Sequence, residues 1–571
     1  MQKHLKKFNN LSDYETFKES DDFVLPNISY IESNNEITYS ELKEDHKNEY
    51  LTFEALEDGT YSFRSLSSRV PNIQYSIDGG ETWVTLNKDE RTPVIHSGNE
   101  ILWKNTIDTD YDYDEGIARF SIETKTNVKG NIMSLLYGDN FKDKLSLNTY
   151  GVLYYIFYEC NIINSKGLEL PATTLSDYCY SGMFLDCTSL VTAPELPATT
   201  LANSCYEGMF QGCTSLVTAP ELPVSTLAPY CYYCMFRDTN VIPNFKNIDF
   251  YDENTISSGA LNGLFAGTKI TDYDLAKILP KNSDGKYYLP ASTLSENCYN
   301  YMFGGCTLLT TAPELPAMTL AYECYNYMFA DCTSLVTVPE LPATTLAEEC
   351  YNSMFDGCTS LTTAPELPAT TLESGCYSRM FNECTSLVNA PKLPATTLAP
   401  NCYTYMFSNC TSLVNAPTLP ATTLADYCYM LMFKGCTSLT TAPELPSTTL
   451  SEGCYQYMFQ DCTSLTTAPE LPATTLASGC YANMFYGCKS LTTAPELPAT
   501  TLVNYCYNNM FQGCSKLNNI IMLGNNVNSG NHLYYWVNNV SKHGTFTKNK
   551  DTSWATTGIN GIPNGWYVLT Q

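Results

Sequence analysis

The chain has 571 residues, 44% of them hydrophobic, with 25 cysteines and a formal charge of −28. That acidity excludes the lysine and arginine clusters that phosphate contacts need, so nucleic acid is not an expected partner and an anionic membrane surface is disfavoured. No apolar run approaches the roughly 18 residues of a membrane helix, so no membrane insertion is expected, and residues 1–8 carry lysines with no signal-peptide stretch behind them, which predicts a product held in the cytoplasm of the cell that makes it.

Residues 1–47 read as a mixed-charge leader suited to attachment. Residues 48–132 have another texture: Tyr61-Ser-Phe63, Ile73-Gln-Tyr75-Ser-Ile77, Trp83-Val-Thr85 and Ile101-Leu-Trp103 alternate or cluster as short strands, with Asp78-Gly79-Gly80 as a hairpin turn. A small β-sandwich is the simplest solution. In this segment Asp108, Asp110, Asp112 and Asp114 place carboxylates at alternating positions, which suits calcium; the run lacks the glycine and distal glutamate of an EF-hand, and a solvated acidic loop is the alternative. No other cofactor is expected.

Residues 133–520 repeat one sentence. A clean copy reads Leu170-Pro-Ala-Thr-Thr-Leu175, then Cys179-Tyr180-x-x-Met183-Phe184-x-x-Cys187-Thr-Ser-Leu190, then Ala193-Pro194-Glu195-Leu196-Pro197. Phe184, Phe210 and Phe236, and later Phe303 through Phe511, recur every 26 residues. Such a period with spaced leucines marks a solenoid, whose coils bury their apolar faces only by stacking on neighbours.

On a helical wheel at about 100° per residue, Cys179, Tyr180, Met183 and Phe184 share one face and the changeable positions 177, 178, 181, 182 and 185 share the other. A helix of about three turns is therefore expected in each coil. Thr174 is placed to cap it, Glu296 follows Thr293 at the spacing of a capping box, and Asp186, Gly212, Asn409 and their equivalents suit a left-handed closing turn. Thr188 to Ala193 has the β-branched content of a short strand that Pro194 ends. The expected fold is an α/β solenoid of leucine-rich type, with 26-residue coils that each hold a short parallel strand plus a short helix. An N-terminal β-sandwich and a C-terminal β-rich cap over residues 521–571, carrying Trp536, Trp554 and Trp566, would close its ends. Residues 237–290 read as degenerate coils with insertions, 249–254 and 281–286 being the expected protrusions.

Cys179 and Cys187, eight residues apart on a helix, would be separated by about 12 Å, beyond disulfide reach. Equivalent cysteines of stacked coils would point the same way, so free, buried thiols are expected. A hydrolase needs a nucleophile with a base, yet the histidines are His4, His46, His96, His532 and His543, none within the repeats.

Two columns of side chains invite a functional reading. Glu195, Glu221, Glu314, Glu340, Glu366, Glu444, Glu470 and Glu496 align along the rod, as a solvated face or a cation-dependent binding strip. On the outward helix face Tyr178, Tyr230, Tyr301, Tyr327, Tyr405, Tyr427, Tyr457 and Tyr505 mix with Asn, Ser, Gly and Asp. Tyrosine gives contact area at low entropic cost, so this face is the candidate binding surface.

The run Met183-Phe184-Leu-Asp-Cys187-Thr-Ser-Leu190 and its copies resemble the BspA-like leucine-rich repeats of bacterial surface proteins, over about residues 150–520. The resemblance implies adhesion to proteins, glycans or cells. The leader, with Asp13-Tyr-Glu-Thr-Phe17 and Val24-Leu-Pro-Asn-Ile28-Ser-Tyr30, and the stretch from Asn131 to Phe141 are similar to N-terminal parts of virion proteins from crAss-like and other phages of Bacteroidales. This second resemblance implies a tail fibre or spike on a virion, docked to other virion proteins through its N-terminal region and recognising a host surface protein or glycan. A bacterial cell-surface adhesin is the alternative, and a glycan-cleaving enzyme a distant third.

Overall fold

The structure is a computed structural model that describes residues 46, 48–65, 73–87, 90–106, 118–222, 226–241, 256–525, 527 and 531–571, with three strand segments nearer the N-terminus. Those strands, β1 (Lys7–Phe8), β2 (Ile28–Ser33) and β3 (Glu36–Glu41), form an antiparallel sheet in the order β1-β3-β2. Asp108, Asp110, Asp112 and Asp114, and the protrusion at 249–254, lie outside the described residues.

Strands β4 (Leu51–Ala55), β5 (Tyr61–Ser65), β6 (Ile73–Ser76), β7 (Val84–Thr85), β8 (Glu100–Asn105), β9 (Ala118–Ile122), β10 (Thr126–Asn131) and β11 (Ile162–Glu169) make two sheets. One has the order β11-β10-β4-β8-β6-β7 and the other pairs β5 with β9. Alternation sends Phe53 and Trp103 from the first sheet onto Phe120 of the second, with ring centroids at 4.8 and 5.0 Å. Strand β11 adds in parallel to β10 and so joins this sheet directly to the repeats. A one-turn helix, α1 (Ser134–Tyr137), lies wholly buried beside it.

The repeats are where expectation and structure part. No helix occupies the segment from Leu175 to Cys187; every fourth residue there, Tyr178, Gly182 and Asp186, has φ near +58°. An α-helix cannot pass through a left-handed residue, so the segment folds as consecutive turns. Its hydrogen bonds alternate. Ser181, Met183, Leu185 and Cys187 each donate an N–H to the carbonyl three residues back, whereas Tyr180, Gly182, Phe184 and Asp186 donate to Cys205, Glu207, Met209 and Gln211 of the next coil, at 2.7–3.0 Å. Half of the backbone bonds thus close turns and half bind coil to coil. Each left-handed residue sends its N–H along the pile, which repays the ~1–2 kcal/mol such a conformation costs an L-residue. Thr174 and the Thr293–Glu296 pair therefore cap nothing; Thr174 instead bridges Thr200. The expected strand from Thr188 to Ala193 shrinks to one parallel bridge per coil, such as Thr192 to Thr218, because Pro194 removes the next donor.

The same pattern runs from Gly151, Tyr155 and Glu159 to Tyr535 and Asn539. Residues 256–268 form a further coil, for Phe236 donates to Leu264 and Phe265 to Met302, so the pile is continuous across the degenerate stretch. The extra chain after it forms a helix, α2 (Asp272–Ile278), with a capping box between Thr271 and Asp274. Strands β12 (Asn519–Met522), β13 (Thr545–Lys548) and β14 (Tyr567–Thr570) form a parallel sheet at the far end, where Trp536 lies 6.1 Å from Phe511 and terminates the phenylalanine column.

The interior consists of columns. From Phe303 to Phe511 consecutive rings lie 5.6–5.8 Å apart with planes within 8°. Tyr299 to Tyr507 form a parallel column at 5.7–6.1 Å. All 25 cysteines are free and buried. Where a coil carries the second thiol of the motif, it donates to the phenylalanine carbonyl of the coil before, as Cys384 does to Phe355 at 3.1 Å and Cys410 to Phe381 at 3.0 Å. No helix among the described residues is long and apolar enough to cross a membrane.

Candidate functional site

The turn segments present one face of the pile to solvent, and the left-handed residues are its pixels. From Cys298 to Cys514 the interior positions repeat without change, and the degenerate stretch departs, with Ala260, Leu261, Leu264 and Thr268 in their places, while the first left-handed position reads Tyr178, Ser204, Tyr230, Gly259, Asn297, Glu323, Glu349, Gly375, Asn401, Tyr427, Gly453, Gly479 and Tyr505 along the rod. A conformation that favours Gly, Asn, Asp and Ser explains much of that list. It does not explain tyrosine.

All eight tyrosines singled out from sequence, Tyr178, Tyr230, Tyr301, Tyr327, Tyr405, Tyr427, Tyr457 and Tyr505, occupy left-handed positions, with φ from 52° to 59°. The sequence placed them on the outward side of a helix; instead seven are half-buried and Tyr505 is exposed. Among the other positions assigned to solvent, Ser181 and Gly182 are buried, because a chain of four-residue turns offers a narrower outward arc than a helix does. Rings lie down along the pile: a Cβ on Gly259 would fall 2.1 Å from Tyr230 Cε1, and one on Gly453 would fall 2.4 Å from Tyr427 Cε1. Where glycine follows tyrosine in the next coil, the ring covers it.

The structure gathers these tyrosines into groups. Tyr301 and Tyr327 meet at 6.0 Å, with the Arg237 guanidinium 5.4 Å from the Tyr301 ring. Tyr405 takes the Arg379 guanidinium at 4.7 Å, and Arg379 lies 3.8 Å from Asp356. Burial pushes the Asp356 carboxyl up to about 6, against the pull of the hydrogen bond from Asn382 and the charge of Arg379. Tyr178 packs on Tyr150 at 5.1 Å, and Tyr230 on Tyr233 at 6.1 Å. Tyr427, Tyr457 and Tyr505 line one cleft of about 220 Å³, floored by Gly453 and Gly479. The sequence did not single out those two glycines, although comparing consecutive copies would have shown two bare positions flanked by Tyr427 and Tyr505.

A second cavity, of about 320 Å³, opens where β9 meets the first coil and is lined by Arg64, Arg119, Glu123, Tyr158 and Glu159. Arg64 and Arg119 oppose each other in register across β5 and β9, a like-charge pairing that the carboxylates around it offset. Glu123 holds Arg91 at 2.7 Å, and Arg119 lies 3.7 Å from Glu159 and over the Tyr158 ring. In the glutamate column the residues are exposed except Glu314, which takes Lys286 at 2.5 Å.

Among the described residues, groups with catalytic potential do not converge. His96 Nδ1 lies 2.9 Å from Asp58, but the neighbouring Ser97 hydroxyl donates to the Leu56 carbonyl rather than to the ring. His532 contacts the Val503 carbonyl. Among the described residues no three His, Cys, Asp or Glu side chains stand close enough to hold a metal ion.

With this geometry in view, residues 296–440 and 430–550 match the BspA type leucine rich repeat region, in six copies. These residues carry BspA-type leucine-rich repeats. The turn-and-bridge coil just described, with its phenylalanine, tyrosine and thiol columns, is thus the physical form of the BspA-type repeat in this chain, and residues 151–268 stack with the same bonding. No curated protein and no solved structure matches the chain.

Proposed function

We propose that the protein is a non-enzymatic binding and adhesion protein, in which the stacked interior is a ruler and the turn face is the recognition surface. BspA-type repeats are commonly those of surface adhesins and binding proteins, which supports this reading. One observation carries it: from Cys298 to Cys514 the positions that touch the core repeat without change, while the left-handed positions beside them vary and are enriched in tyrosine beyond what their backbone conformation asks for. A rigid scaffold holding variable side chains fits recognition, since little is lost on ordering them.

For the setting, we propose a fibre or spike component of a phage virion that recognises host surface protein or glycan, docked through the N-terminal region. This setting rests on the resemblance to virion proteins read in the leader and in residues 131–141 of the sequence. A bacterial cell-surface adhesin is the second reading, favoured by the BspA-type repeats themselves. Purified virions of the parent phage, analysed by mass spectrometry, contain the protein on the first reading and lack it on the second. Adhesion is tested by adsorption of the labelled full chain to bacterial cells. Replacing Tyr301, Tyr327, Tyr405 and Tyr457 together by serine, which Ser353 shows the conformation accepts at φ 55°, should abolish adsorption while the fold stays intact. Unchanged adsorption rejects the turn face as the recognition surface.

A further inference from the structure

Gly453 and Gly479 are the only consecutive glycines at the first left-handed position among the described residues. They differ. Gly453 is covered by the Tyr427 ring, whereas a Cβ on Gly479 would meet nothing within 4 Å. The missing side chain leaves a notch between the Tyr427 ring, which lies back over Gly453, and Tyr505, whose hydroxyl accepts a hydrogen bond from Asn531 on its far side at 3.2 Å. Tyr457 of the second left-handed column forms a third aromatic wall.

Chemistry narrows the occupant. The remaining lining is rich in side-chain amides, with Gln456, Asn483, Asn508 and Asn509, and holds Glu452 but no lysine or arginine. The Asn508 carbonyl oxygen is buried without a hydrogen-bond partner, and Glu452 is engaged by the Tyr427 hydroxyl at 2.8 Å. Amides both donate and accept, as vicinal hydroxyls do, and tyrosine rings take the apolar C–H face of a pyranose. The lack of lysine or arginine in the lining of an acidic chain disfavours an anionic ligand, and the one carboxylate there, Glu452, already accepts a hydrogen bond from the Tyr427 hydroxyl. At about 220 Å³ the cleft is smaller than the roughly 300–1,000 Å³ pockets that enclose drug-sized molecules, which suits a single sugar unit.

We propose that the Gly453–Gly479 notch is a subsite for one neutral hexose or N-acetylhexosamine unit of a surface glycan. This rests on the turn face being the recognition surface, and it adds the place and the ligand class. The test is saturation-transfer NMR on the full chain with the methyl glycosides of glucose, galactose, mannose and N-acetylglucosamine. At least one should receive transfer. Gly479→Tyr, which places at this position the residue that Tyr427 and Tyr505 carry at nearly the same φ, fills the notch and should weaken binding at least tenfold. Gly375→Tyr, in the same column four coils away and at the same φ of 60°, should leave binding unchanged. Retention of transfer in Gly479→Tyr, or its equal loss in Gly375→Tyr, overturns the site; no transfer from the native chain to any glycoside overturns the ligand class. Adsorption to cells is a separate readout, so failure here and failure of the adhesion reading are distinguishable.

Discussion

Replacing Phe381 by alanine probes the idea that stability here is a sum over neighbouring coils. The Phe381 ring is fully buried, 5.8 Å from Phe355 and 5.7 Å from Phe407, with planes within 8° of both. Truncating a core phenylalanine costs about 3–5 kcal/mol. The upper part of that range applies, because the rings on both sides are held at fixed height by the coil-to-coil bonds of Phe355 and Phe381, to Met380 and Met406, and cannot close the void. In a pile where each coil touches only its neighbours, the loss divides between two interfaces, ~2 kcal/mol each. Hydrogen exchange read by mass spectrometry should then show about 30-fold faster exchange in the coils holding Phe355, Phe381 and Phe407. Peptides around Phe184 and Phe485 should keep native protection. Acceleration spread evenly along the chain, or a loss of unfolding free energy below ~1 kcal/mol, would refute the nearest-neighbour picture.

Gly487→Ala should destabilise by about 1–3 kcal/mol in guanidinium unfolding, since φ is +73° and the new Cβ would meet Asp461 Oδ1 at 2.2 Å. Gly479→Ala, with open space around its Cβ, should cost only the conformational part, and the reverse order would count against the packing described. For Asp356, a carboxyl raised to about 6 from 3.8 means the folded state holds the proton more tightly, so this group's contribution falls as pH rises from about 4 to about 6. Asp356→Asn should accordingly raise the denaturation midpoint at pH 7 and lose that advantage near pH 4; an advantage that grows on acidification contradicts the burial effect. Burial pushes the Cys306 thiol up to about 12 and holds its equivalents high, so none of the 25 thiols should react with a disulfide reagent in the native protein and all should in denaturant. A fast-reacting fraction in native buffer would show a core thiol open to solvent.

The 26-residue period named the core outright: Cys179, Tyr180, Met183 and Phe184 were legible as buried because their equivalents recur in copy after copy, and they are buried. The helix was not in the residues. A period of four and a period of 3.6 diverge by only about one residue across a ten-residue segment, so the wheel placed the core residues correctly for either. The discriminating signal was Gly182, Gly208, Gly263, Gly375, Gly453 and Gly479 in the middle or first turn of a supposed helix, each costing about 1 kcal/mol there. Read at intervals of four with Asp186 and Asn409, they announce recurring left-handed residues. The tyrosine face was legible as a set of residues but not as a surface, because the lean of each ring over the next coil depends on what that coil places beneath it. The opposition of Arg64 and Arg119 depends on the pairing of β5 with β9, which no local pattern encodes.

The bonds that tie coil to coil point along the long axis, which has a mechanical consequence. A pull on the two ends loads these bonds in sequence, so the rod yields by peeling away one coil at a time. Each released coil pays out 26 residues, about 90 Å of contour, before the next takes the load. A rod built this way lengthens under tension by stages and dissipates the force at every step, where a stiffer one would snap.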